Sequence, residues 1–106
     1  MAQATVAVIE TVRRYLRTLE QHGVHVDNAI LFGSHAKGTA REESDIDVAL
    51  ISEAFSGDRF DDRRRIVPYR RAIDSRIEPM PFRPERFAEG GNLVDEIKKD
   101  GIPIEL

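Results

Sequence analysis

At 106 residues the chain has the size of one small domain, able to bury about 60 to 70% of its unfolded surface around a single core, so one domain over residues 1–106 is expected. Sixteen Lys and Arg against nineteen Asp and Glu give a net charge of −3, without the basic excess that phosphate-backbone binding requires, and direct nucleic-acid binding is not expected. The absence of cysteine excludes disulfides, thiolate nucleophiles and Cys-ligated zinc, and it fits a reducing cytoplasm.

In chain order, Val8, Ile9, Val12, Tyr15, Leu16 and Leu19 follow helical spacing from about Thr5, and Gly23 is placed to end that helix in a left-handed cap. Ala29-Ile30-Leu31-Phe32 is a short apolar run cut off by Gly33-Ser34, as a strand buried on both faces would be. The polar stretch from His35 to Ser44 predicts a short helical turn and a loop, and Ile46 to Ile51 a second strand. These apolar runs are too short for a membrane span, which needs about twenty residues, or for a signal peptide, so a soluble, unprocessed, cytoplasmic protein is expected.

Between Ser56 and Asp74, Phe60, Ile66, Val67, Tyr69 and Ile73 recur at helical intervals, which predicts a helix interrupted near Pro68 with its arginines in solvent. Arg76 to Phe82 reads as a third strand. Pro79 and Pro81 lack donors on the same side of it, so the strand is expected to be an edge or to end there. Asn92 is expected to cap a last helix through Leu93, Val94 and Ile97, Gly101 to end it, and Ile102, Ile104 and Leu106 to alternate as a short terminal strand. The fold class is α/β: a three- or four-stranded mixed sheet with helices packed mainly on one face.

Asp45 and Asp47 stand two apart at a strand start, so their side chains share one face with Cα atoms about 6.6 Å apart. Two ionised carboxylates at that spacing repel by about 2 to 3 kcal/mol at an effective dielectric near 20, and a bound cation removes the repulsion. Magnesium suits carboxylate oxygens and keeps positions open for water and phosphate. With the first two strands antiparallel, Gly33-Ser34 comes to lie beside Asp45 to Asp47. Gly33 then permits close backbone approach to a phosphate and Ser34 adds a hydroxyl. A crossover of about twenty residues allows the third strand to run parallel to the second, which brings Glu78 toward the aspartates.

Gly33-Ser34, the stretch His35-Ala36-Lys37-Gly38, and then Ser44-Asp45-Ile46-Asp47 followed by Val48-Ala49-Leu50 resemble the minimal nucleotidyltransferases of the DNA polymerase beta superfamily. The resemblance implies transfer of a nucleoside monophosphate, AMP from ATP, to an acceptor hydroxyl with two magnesium ions. It implies Gly33 and Ser34 as nucleotide-binding residues, and Asp45 and Asp47 as catalytic metal ligands. Glu78 is the candidate third carboxylate and Asp74 the reserve, although the family usually carries aspartate there. His35 stands where many relatives carry arginine. Such small domains resemble the antitoxin half of a toxin–antitoxin pair whose partner is a helical HEPN-type ribonuclease modified by AMP on a tyrosine.

Other readings of the same residues exist. Glu78 is also readable as a surface glutamate paired with arginine, Lys37 and Arg41 as solvent-exposed, and His35 as a phosphate donor or a loop residue. A P-loop is excluded because Lys37 precedes Gly38, and an EF-hand because Leu50 occupies the position that needs glycine. At the level of function, the rivals are a non-catalytic module that neutralises its partner by contact, and a stand-alone enzyme acting on an aminoglycoside-like molecule.

Overall fold

Val8, Val12, Tyr15, Leu16 and Leu19 line one side of helix α1 (Gln3–Gln21) and are all buried. The structure of the protein is a computed structural model that describes residues 3–106. At the end of α1 the N–H of Val24 bonds to Leu19 O (2.9 Å) and that of Gly23 to Glu20 O (3.1 Å), the pair of bonds that closes a helix through a left-handed residue. Gly23 supplies that residue at φ 84°. Val24, just beyond, is buried in the same cluster as Leu19.

Strand β1 (Asn28–Phe32) follows, then a single helical turn α2 (Ser34–Lys37) and strand β2 (Ile46–Ile51). Helix α3 (Arg59–Ile66) passes into a 3-10 segment over Val67–Ala72 and then strand β3 (Ile77–Phe82). Helices α4 (Pro84–Glu89) and α5 (Asn92–Asp100) and strand β4 (Ile102–Ile104) complete the order. The four strands form one mixed sheet in the order β3-β2-β1-β4. β1 is antiparallel to β2 and β4, whereas β2 and β3 run parallel.

The two sheet faces are buried unequally. Ala29, Leu31, Ile46, Val48, Leu50, Ile77 and Ile104 pack against α1, Ile66 of α3 and the 3-10 segment, forming the larger core. On the opposite face Ala49 and Ile51 meet Ile97 of α5, with Ile30, Phe32, Phe82 and Phe87 around them. At about 1.5 to 3 kcal/mol for each fully buried aliphatic side chain, the α1 side carries most of the stabilisation. The second face is covered only toward the Ile51 end of β2, and Asp47, at the other end, stays half-exposed.

Three expectations need correction. The helix expected from Ser56 begins at Arg59, because Asp58 accepts from Asp61 N (3.0 Å) as its cap, while buried Asp62 ties the preceding turn through Ser56 N and Gly57 N. Phe60, placed by periodicity on the buried face, is 80% exposed. Asn92 is the first residue of α5 and makes no capping bond; Gly91 precedes it at φ 114°, a conformation open to glycine. The break near Pro68 occurs as expected, since proline lacks the N–H that would continue the ladder. Helix α4, opened by Pro84 in its first turn, was not anticipated.

Tyr15 joins α1 to the α3 junction: its buried hydroxyl donates to Ile66 O at 2.6 Å. Burial holds the phenol well above its ordinary pKa, so it remains a donor throughout the working pH range. Tyr15→Phe leaves that carbonyl without its partner and is expected to cost about 1 to 2 kcal/mol, read as a lower urea midpoint at unchanged m-value.

Candidate active site

The pairing of β1 with β2 sets Phe32 opposite Asp47, and the pairing of β2 with β3 sets Asp47 opposite Glu78. Residues opposite one another in adjacent strands project to the same face, so Asp47 and Glu78 are neighbours, and Asp45, two residues earlier, shares their side. Gly33 continues directly from Phe32 with φ 73° and ψ −153°, a conformation that side chains resist. A Cβ built there would overlap Asp47 Oδ2, so the aspartate carboxylate lies against the glycine backbone. Ser34 begins α2 at the same point, and the turn closes through Ala36 and Lys37 N–H to Gly33 O (both 3.1 Å).

Burial raises the pKa of Asp47 above its ordinary value, with the neighbouring charges of Asp45 and Glu78 adding to it and His35 partly opposing it. His35 therefore lies within electrostatic reach of the aspartates, with its Nε2 3.3 Å from Ser44 O. Lys37 and Arg41 are exposed.

Glu78 has company that sequence reasoning did not assign to it. Arg63 Nη2 meets its Oε1 at 2.7 Å and Arg70 Nη1 its Oε2 at 3.2 Å. The same guanidinium groups donate to the outward carbonyls of β3, Arg63 to Pro79 O (2.8 Å) and Arg70 to Ile77 O (2.9 Å). Arg63 and Arg70 thus seal the exposed edge of β3 where Pro79 and Pro81 already remove donors. These two arginines are not in solvent, contrary to expectation. Their seven-residue spacing, two helical turns, was the available signal, but their target is visible only in the fold.

The reserve carboxylate, Asp74, is held by Arg76, with Nη2 2.8 Å from Oδ2 and Nε 3.1 Å from Oδ1, and this pairing keeps its pKa low. Arg76 also donates to Glu42 O at 2.7 Å, which ties down the loop before Asp45.

Asp45 and Asp47 suit a divalent cation in their donor chemistry: two carboxylates on one face, one destabilised by burial and by the other's charge. Among the described residues no three acidic or histidine side chains are arranged to hold a metal together, as Glu78 is held by its arginines.

The sequence pattern of the family described as nucleotidyltransferase domain matches residues 9–103, nearly the whole chain, from within α1 to within β4. The chain belongs to this nucleotidyltransferase family. Solved structures share the fold at low identity. A protein from Sulfolobus solfataricus assigned as a nucleotidyltransferase superposes with TM-score 0.69 at 14% identity, over 95% of this chain and 82% of that one. A toxin–antitoxin with AMP-PNP superposes with TM-score 0.61 at 18% identity, over 87% of this chain and 71% of that one. A search among curated proteins finds no match. No helix among the described residues of this nucleotidyltransferase domain is long and apolar enough to cross a membrane.

Two outcomes follow from the site's geometry. Gly33→Ala combines a forbidden φ with a clash against Asp47 Oδ2, so the domain is expected to bind Mg-ATP at least about tenfold more weakly by calorimetry while remaining folded. For Asp47 the sign is the reverse of a paired carboxylate: its folded pKa is raised, so the ionised form opposes folding and stability increases as pH falls through the folded value. Asp47→Asn is therefore expected to raise the melting temperature at pH 7 without divalent metal, as the charge that burial opposes is removed. A lower melting temperature would contradict the electrostatic account of this residue.

Proposed function

We propose that the domain transfers AMP from ATP to a hydroxyl on another protein, a tyrosine of a HEPN-type toxin, and acts as the antitoxin of the pair. The observation that carries the proposal is the Gly33 backbone lying against the Asp47 carboxylate with Asp45 on the same face, which puts a turn suited to close phosphate approach beside two carboxylates suited to a cation. Gly33 and Ser34 would hold the triphosphate, and Asp45 and Asp47 the magnesium. Bound metal would offset the charge of the phosphates and favour loss of pyrophosphate. Asp47 gains most from such an ion, since burial and Asp45 both oppose its ionisation.

The likeness to a toxin–antitoxin with AMP-PNP and the family membership support a nucleotide substrate and a protein partner. The open face of the sheet beside Asp47 and Glu78 supplies no enclosing wall for a small acceptor, which favours a hydroxyl carried by a partner over an aminoglycoside-like molecule. A nucleotidyl group on that tyrosine adds bulk and negative charge, enough to obstruct an RNA-binding surface by occlusion and repulsion.

One observation favours the rival reading, a module that neutralises by contact. Glu78, the candidate third carboxylate, is already neutralised by Arg63 and Arg70. Intact-mass spectrometry of the co-expressed pair separates the two. One or more AMP units are expected on the partner, and none with Asp47→Asn; an inhibited but unmodified partner would leave only the contact reading.

A further inference from the structure

Helix α3 carries an outward face on which Phe60, Arg59 and Arg64 are exposed, bordered by Arg63, which reaches Glu78, and Val67, which packs partly against the core. Phe60, Arg63, Arg64 and Val67 stand at intervals of three, four and seven residues, so they share one side of the helix, and Arg59 and Pro68 flank them. Together they line a concavity of about 470 Å³. Phe60 stands 80% exposed at its rim, although the helix has only one fully buried apolar residue, Ile66, with which to attach itself. Among the described residues Arg59 and Arg64 have no ion-pair partner, whereas Arg63 is engaged with Glu78. Of the nearby acids, Asp58 is turned into the helix cap and Asp62 into the preceding turn, which leaves Asp61 as the one exposed counter-charge on α3.

We propose that this face of α3 is the docking site for a partner protein, through an acidic segment that sets carboxylates on Arg59 and Arg64 and an apolar side chain between Phe60, Val67 and Pro68. The inference rests on reading the chain as one half of a protein pair, and it assigns the surface that the pair uses.

Charge complementarity selects the occupant. Two unpaired guanidinium groups around an apolar floor are costly to desolvate unless the incoming surface supplies carboxylates. Exposed aromatic and arginine side chains together are the residue types that carry binding energy at protein interfaces. A second copy of the chain is disfavoured, since a two-fold contact would set Arg59 and Arg64 against their own equivalents. RNA is disfavoured as well: the chain carries a net charge of −3, and Val67 and Pro68 offer an aliphatic hollow in place of a flat stacking platform.

The position of the hollow suits the chemistry proposed above. Arg63 lines it and also reaches Glu78, so a partner seated on α3 lies one guanidinium away from the carboxylate row of β3 and β2.

The test uses the whole chain with the protein encoded by the adjacent reading frame as the probe, and affinity read by calorimetry. Phe60→Asp and Arg64→Glu are each expected to weaken the complex by about tenfold or more while leaving Mg-ATP affinity and the melting temperature near wild type. Arg71→Glu, a charge reversal outside the hollow, is the control and keeps the complex. Wild-type affinity in both α3 variants, or no complex with the wild-type chain, overturns the proposal. So does binding of a short single-stranded RNA that is lost in Phe60→Asp, or a homodimer broken by that change. The two levels of inference stay separable. A full-strength complex of the wild-type chain that disappears in the α3 variants but never carries AMP sinks the transfer reading and leaves the docking face. AMP transfer that persists in α3 variants of wild-type affinity does the reverse.

Discussion

The register between β1 and β2 is the constraint on which the candidate site depends. Phe32 opposite Asp47 delivers the chain reversal at Gly33 directly onto the aspartate carboxylate. Because side chains alternate along a strand, a slip of one residue would turn Asp47 into the α1 core and Val48 out toward solvent. The hydrophobic pattern prevents this: Ile46, Val48 and Leu50 are fully buried against α1, and their burial holds Asp45 and Asp47 on the opposite face. The acidic pair is thus imposed on the fold by apolar packing rather than stabilised by contacts of its own.

That arrangement carries an electrostatic cost. Burial and the neighbouring charges of Asp45 and Glu78 disfavour ionised Asp47, and the fold tolerates the cost because the larger core lies on the other side of the sheet. The small cluster around Ala49, Ile51 and Ile97 closes the second face only where no charge is needed. The other end of the same face, half-buried and acidic, is left open.

The edge of β3 shows how one set of side chains can serve the sheet and border the site. Prolines remove the donors that another strand would pair with, and the guanidinium groups of Arg63 and Arg70 occupy the outward carbonyls of Pro79 and Ile77. Glu78 offsets their charge where they meet. Its position beside Asp47 therefore has a structural cause independent of catalysis, and any role it takes toward a metal competes with its arginines.

Much of the fold was legible in the sequence because it is written in local terms. Period-3.6 spacing marked α1, short apolar runs marked β1 and β2, paired prolines marked β3 as an edge, and two aspartates at strand spacing were bound to share a face. Tertiary structure decided whatever depends on a distant neighbour. Phe60 fits a helical period, but no element passes over it, so it stays in solvent. Arg63 and Arg70 read as surface charge until β3 offers them carbonyls and a carboxylate. Asn92 looks like a cap, yet the chain enters α5 through Gly91, whose positive φ no side-chain signal announces. Periodicity records which faces can be buried, whereas the partner that buries a face, or claims a charge on it, is set only when elements far apart in the chain pack together.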